Sequence, residues 1–294
     1  MKRAVVAAAM LLASLAARAQ TADAPLPEPA EPPSAAGALP DLSAAPDLVV
    51  ASPAGVLPAL GNEARRYGRD TIGLLTAPLS WDRSDREKAA AFAVVLGSLL
   101  LADRSINEQG IESRSSATNS VSNATEPFGS AGGFAVAASL IAAGLVFHSP
   151  GTRDTGRDAL EAAVIAGLID TAVKRIAGRE RPINSNGETT FEPGSSNASF
   201  ASGHATVAFA VASVIAARSP GWVVPGLAYT AAALVGFDRI NSQAHFASDV
   251  FAGAVLGTVT GRWLVHRHEA EEEGRSASID LMPNAHGLSA RIRF

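Results

Sequence analysis

The stretch SFASGHATVAFAVASVIAAR, residues 199–218, decides how this chain folds. From His204 onward it is an unbroken run rich in Ala and Val, closed by Arg218 and longer than a strand, so it predicts a helix. Ser202 stands where an N-cap belongs, and Gly203 beside it permits close approach to the first unpaired N–H groups of that helix. Five further segments share its character: Arg86–Asp103, Ala131–His148, Arg157–Gly178, Trp222–Phe237 and His245–His268. Turn-forming stretches separate them, among them SPG at 149–151 and 219–221, INSNGE at 183–188 and EPGSSN at 192–197. The pattern predicts an all-α bundle of about six core helices, with a weaker amphipathic helix over Glu63–Leu75. At the C-terminus, SIDLMPNAHGLSARIRF alternates apolar and polar residues around Pro283–Gly287, which predicts a short β-hairpin.

Outward from the bundle, the N-terminus has the signature of an export signal. Lys2 and Arg3 precede an apolar run from Ala4 to Ala16, and Ala17-Arg18-Ala19 supplies a small-x-small cleavage pattern. The expected division is a signal peptide at 1–19, a Pro/Ala-rich linker at 20–60, an all-α domain at 61–270, and an acidic segment with tail at 271–294. That places the chain in the periplasm or cell envelope. The absence of cysteine excludes disulfides, thiol catalysis and cysteine metal sites. A net charge of -4 with 18% charged residues provides no polybasic footprint for nucleic acid, so any phosphate affinity must be local.

The segment Pro127–Gly151 carries no Asp, Glu, Lys or Arg and can cross a bilayer, whereas the runs from His204 and Val250 close early, at Arg218 and Arg262. Six spans following an exported N-terminus would also set the polar helix ends on the cytoplasmic side. The expectation is therefore a soluble or peripherally attached bundle, touching a membrane at its surface.

Three polar clusters interrupt the apolar helix ends. In KRIAGRERP, residues 174–182, Lys174 and Arg181 can share a face if the helix continues, and two cations there suit a tetrahedral oxyanion. In Ser202-Gly203-His204, the helix N-terminus forms an anion cradle and His204 lies where it can donate a proton. In DRINSQAHFASD, residues 238–249, His245 and Asp249 stand at i and i+4, so that a carboxylate can orient an imidazole nucleophile, while Arg239 adds a cation. Taken singly, each cluster has an ordinary reading as well: a cationic helix end, a capped helix, a helical His–Asp pair. The remaining histidines, His148, His266, His268 and His286, read as loop, tail or helix-end residues with no metal cluster.

Together, and in this order, the clusters resemble the type 2 phosphatidic acid phosphatase family, which shares its site with bacterial acid phosphatases and vanadium haloperoxidases. The family pattern is Lys, six residues, Arg-Pro; then Pro-Ser-Gly-His; then Ser-Arg, five residues, His, three residues, Asp. The resemblance spans roughly Asp158 to Val265, with Ala201 in place of the usual Pro and Asp238 in place of the usual Ser. It implies that His245 attacks phosphorus to give a phosphohistidine, that His204 protonates the leaving oxygen, and that Asp249 orients the nucleophile. Lys174, Arg181, Ser202, Gly203 and Arg239 would hold the phosphate, with no metal and no cofactor. The substrate would be a phosphorylated lipid or a small phosphate monoester. Two other functions share these residues: a vanadium-dependent haloperoxidase, and a non-catalytic phosphate or lipid-headgroup binder disabled by Asp238.

Overall fold

A computed structural model describes residues 53–185, 190–276, 278–284 and 287–293. Among them are eight α-helices: α1 (Pro53–Thr76), α2 (Arg83–Glu112), α3 (Ser116–Thr125), α4 (Ser130–Val146), α5 (Pro150–Ala177), α6 (Gly203–Arg218), α7 (Val223–Asn241) and α8 (Ala247–Ser276). The six expected core helices are α2 and α4–α8, so the all-α fold stands. The helix expected near Glu63 is α1, which begins at Pro53, inside the segment read as linker. α3 went unpredicted: SATNSVSNAT is poor in apolar residues, and its start is set by a capping box in which Ser115 and Thr118 exchange hydrogen bonds. The signal peptide lies outside the described residues.

Helix boundaries follow local chemistry. Asp82 caps α2 by accepting from the Asp85 N–H at 2.9 Å. Proline opens α5, and Gly178 ends it in the left-handed region at φ 56°, where a Cβ would lie 1.8 Å from the Glu192 carbonyl oxygen. α8 runs through the acidic Glu271–Glu273 to Ser276. Beyond it, β1 (Ser278–Asn284) and β2 (Gly287–Arg293) pair antiparallel, Ser278 opposite Arg293 and Asn284 opposite Gly287.

α6 is the central post, packed on α4, α5, α7 and α8. Its residues Val207, Ala210, Val211 and Val214 meet Ala159, Ala162, Ala163 and Ala166 of α5 and Leu264 and Val265 of α8 in the main core. Small residues let these helices approach closely. Added Cβ atoms on Gly253, Gly257 and Gly261 of α8 would come within 2.5 Å of the Ser202 oxygen, 2.2 Å of the Thr206 oxygen and 2.1 Å of Ser213 Oγ. This glycine seam draws the N-termini of α6 and α8 together.

The outer face is apolar. α2 and α7 are long and apolar enough to cross a membrane, and the α3–α4 pair makes a third such unit when taken as one bent element. On α2, Leu101 is 91% exposed and Val94 69%; on α7, Leu227 is 67% exposed. Water would oppose such a surface, and hydrocarbon would not. The chain is membrane-associated, which narrows the expectation of a soluble or surface-attached bundle. α2 continues past Asp103, where its apolar run ends, to Glu112.

Candidate active site

Alternation of chain direction puts the C-terminal ends of α5 and α7 beside the N-terminal ends of α6 and α8. All three polar clusters therefore meet at one end of the bundle. Lys174, in the last turn of α5, pairs with Asp170 at 2.8 Å and donates to the Ala201 carbonyl. It does not share a helical face with Arg181, because α5 stops at Ala177 and Gly178 turns the chain. Arg181 sits instead on the following loop, exposed, with its field acting on both His204 and His245.

Ser202 occupies the N-cap position of α6 but makes no side-chain cap bond; its buried Oγ has no hydrogen-bond partner among the described residues. The expected cap is thus open, and the hydroxyl and the first N–H groups of α6 are left for an anion. At Gly203 a Cβ would stand 3.0 Å from Asp170 Oδ2, a tight contact, and 3.7 Å from Lys174 Nζ, an ordinary one, so glycine relieves crowding against the carboxylate that holds the cation. His204 follows in the first turn, its ring packed so closely on Gly129 that a Cβ there would lie 1.9 Å from Cδ2. Burial, then the charges of Arg239 and His245, lower its pKa to about 4.

His245 lies in the turn between α7 and α8, its backbone N–H bonded to the Arg239 carbonyl at 3.1 Å. Its Nδ1 faces the Ser199 carbonyl at 2.8 Å, whereas Asp249 Oδ2 is 3.8 Å away. The shorter contact of Nδ1 is thus to the backbone, with the Asp249 carboxylate at ion-pair range of the same nitrogen. The reason is that α8 begins only at Ala247, so the two residues do not share a regular helical turn. A carbonyl can only accept, so Nδ1 carries the proton and Nε2 keeps its lone pair. Asp249 also accepts from Ser199 Oγ at 2.6 Å and from the Phe246 N–H at 2.9 Å. Burial lowers the His245 pKa against the pull of Asp249, with Lys174 and Arg181 adding to the shift. Burial opposes ionisation of Asp249, but His245 and the Arg179 guanidinium hold its pKa below the usual value.

Arg239, in the last turn of α7, is held by Asp238 through Nε at 2.7 Å and Nη2, and Asp238 accepts in addition from Ser122 of α3. The carboxylate that replaces the family serine is therefore committed to a cation and a hydroxyl. This removes the ground for reading Asp238 as a disabling charge.

Sequence reasoning missed four groups. Asp170 fixes Lys174, and Ser199 fixes His245. Arg179 is fully buried between the rings of Phe191 and Phe246, 5.0 Å and 4.2 Å from their centroids, and joins Asp249 to Asp103 of α2 at 2.7 Å each. Arg179 lies within the quoted KRIAGRERP, but nothing in spacing alone separates it from its neighbours. Asp103, distant in sequence, carried no local signal beyond being a charge at the end of an apolar run.

A second polar cluster sits at the opposite end of the bundle. Asp158 receives Arg66 at 2.9 Å, Arg218 at 2.7 Å and His268 Nδ1 at 2.9 Å, while Arg267 pairs with Asp70 and Arg66 with Glu161, both at 2.9 Å. His268 is thus a buried member of a carboxylate cluster, not the plain helix-end residue expected. Ligand atoms of Asp70, Glu161 and His268 lie within 4.8 Å of one another, a spacing compatible with a metal. Each carboxylate is nonetheless matched by a guanidinium, and burial raises Glu161 to about 8. The cluster is a web of polar contacts that fastens α1 to α5, α6 and α8.

Residues 156–273 match a family model described as the PAP2 superfamily. Over 108 residues the chain is 37% identical to a lipid A 1-phosphatase of Porphyromonas gingivalis, covering 35% of this chain and 21% of that protein. Over 100 residues it is 37% identical to a lipid A 1-phosphatase of Rhizobium etli, covering 32% of this chain and 42% of that protein. The chain thus spans less than half the length of either relative. A solved PAP2-type phosphatidylglycerolphosphate phosphatase from Bacillus subtilis superposes with a TM-score of 0.48 at 23% identity, over 62% of this chain and 96% of that one.

Proposed function

We propose that this chain, which carries a PAP2 superfamily segment at 156–273, is a membrane-associated phosphatase acting on a phosphorylated lipid through a phosphohistidine on His245. The observation that carries the reading is the His245 ring itself, held by the Ser199 carbonyl in the tautomer that leaves Nε2 unprotonated at the convergence of Lys174, Arg239 and the α6 N-terminus. The phosphate lies among Lys174, Arg181, Arg239, Ser202 Oγ and the Gly203 N–H. Nε2 of His245 attacks phosphorus, the P–O bond to the lipid breaks, and His204 gives its proton to the leaving oxygen. Water then attacks the phosphorus and passes a proton to His204, the N–P bond breaks, and phosphate leaves. Burial first, and then the neighbouring cations, disfavour a proton on His204, but a phosphate dianion sharing those cations acts with the opposite sign. Substrate binding thereby prepares the acid.

A lipid is favoured over a soluble ester by the ground next to the site. An open groove of ≈ 380 Å³, walled by Phe134, Ala163, Val164, Leu168 and Val207, ends at Gly203 and His204 on the flank of the bundle. An acyl chain can lie along that wall with its phosphate at the helix ends. The curated relatives are named for a phosphate on lipid A, a glycolipid, which falls in the same class. Export to the periplasm or envelope is part of this reading and rests on the N-terminal signal pattern.

Purified protein in detergent should release phosphate from lipid A, phosphatidic acid and phosphatidylglycerolphosphate faster than from p-nitrophenyl phosphate. His245→Ala should lower that release by at least about 10⁴-fold, the scale on which losing the nucleophile acts in other covalent hydrolases. Equal rates in the two proteins would rule the mechanism out.

A further inference from the structure

We propose that Asp103, on α2 and outside the matched family segment, is a positioning residue for the phosphoryl-transfer step, acting through Arg179 and Ser248 on Asp249 and so on His245. This inference rests on the phosphatase reading above. Asp103 is fully buried on a helix whose other side chains are mostly apolar and exposed; Asn107 is the only other buried residue on it. Its Oδ1 accepts from the Ser248 N–H at 3.0 Å, and its Oδ2 accepts from the Ser248 hydroxyl and from Arg179 Nη2 at 2.7 Å. Arg179 Nη1 in turn donates to Ser248 Oγ at 2.6 Å and to Asp249 Oδ1 at 2.7 Å. The other oxygen of Asp249 accepts from Ser199 Oγ, and the carbonyl of Ser199 receives His245 Nδ1. A path of hydrogen bonds, joined at Ser199 through that residue's own covalent frame, therefore runs from α2 to His245, and Asp103, Arg179, Asp249, Ser199 and Ser248 are each 0% exposed.

Charge explains what the path is for. One guanidinium shared by two carboxylates leaves the trio with a net negative charge. When Nε2 of His245 bonds to phosphorus, positive charge develops on the ring, and the surplus negative charge behind it stabilises that step. Without Asp103, Arg179 would neutralise Asp249 and the surplus would vanish. A buried ion-pair trio contributes little to stability compared with packed apolar side chains, so stability alone is a poor reason for it. The other charged or titratable groups near His245 are Lys174 and Asp170 on α5, Arg181 on the loop, His204 on α6, Arg239 on α7 and Asp249 on α8. Of these only Asp249 belongs to the trio.

The test is Asp103→Asn, which keeps shape and removes the charge. Its kcat on a lipid phosphate in detergent should fall roughly 10- to 100-fold with KM within about threefold, and the acid limb of its kcat/KM profile should move to lower pH. A purely structural role would reduce the active fraction without moving that limb. Unchanged kcat and an unmoved limb in a folded variant, beside an active parent protein, would overturn the positioning role while leaving the phosphatase intact. A parent protein inactive on every lipid phosphate would overturn both. If Asp103→Asn does not fold, Asp103→Ser tests the same link, because it too removes the charge and leaves a small hydroxyl beside Arg179 and Ser248. A several-fold loss of kcat at constant KM supports the proposal, and parental kinetics refute it.

Discussion

At the scale of single residues, the candidate site holds two histidines in different environments. His245 is buried against cations, which lowers its pKa below the ordinary 6.5, and its Nδ1–H is spoken for by a carbonyl. The sign follows directly: a lowered pKa means the ring sheds its proton at more acidic pH, so on the proposed mechanism His245 stays competent below the usual imidazole range. The acid limb of kcat/KM is therefore expected below pH 6.5, and a pH–rate profile from about 4 to 9 checks it; a limb at or above 6.5 would contradict the burial of the ring. Truncating the acid, His204→Ala, should cost roughly 10²–10⁴-fold, less than loss of the nucleophile, and a leaving group that needs no proton should recover part of it. The functional types of these residues were legible from their order along the chain. Their partners were not, because Ser199 and Arg179 act by contacts that only folding creates.

At the scale of elements, the site exists because two helix N-termini and two helix C-termini are brought to one end. The seam of Gly253, Gly257 and Gly261 on α8 is what lets α6 and α8 come so close, with a Cβ on Gly257 falling 2.2 Å from the Thr206 oxygen. Gly257→Leu should force the helices apart and move Ser202 and His204 away from His245. The expected outcome is a loss of activity on the order of 10²-fold or more, since misplacing catalytic groups by about 1 Å has that scale, with a lowered Tm. Gly274→Leu, at a position with nothing within 4 Å, is the matched control and should leave both unchanged. Long apolar helices such as α6 declared themselves by composition. The polar α3 did not, because its start depends on capping and its place on contact with α7.

At the scale of the whole molecule, the bundle is polar at its two ends and apolar around its waist. One end holds the candidate site, and the other holds the Asp70, Asp158, Glu161 and His268 cluster that fastens α1. Between them Leu101, Val94 and Leu227 face outward. The protein should therefore sediment with membranes, resist extraction by high salt and alkaline carbonate, and dissolve in mild detergent. Release by carbonate alone would argue for a merely surface-bound bundle.

The sequence by itself determined the all-α class, the order of Lys174, Arg181, Ser202, Gly203, His204, Arg239, His245 and Asp249, and the chemistry those residue types suit. These are properties of composition and short spacing, and both are local. Tertiary structure alone decided that the Ser199 carbonyl lies nearer His245 Nδ1 than Asp249 does, that Asp238 is absorbed by Arg239 and Ser122, and that a buried aspartate from α2 joins Asp249 through Arg179. Each of those depends on groups tens of residues apart, whose meeting is set by how the helices pack.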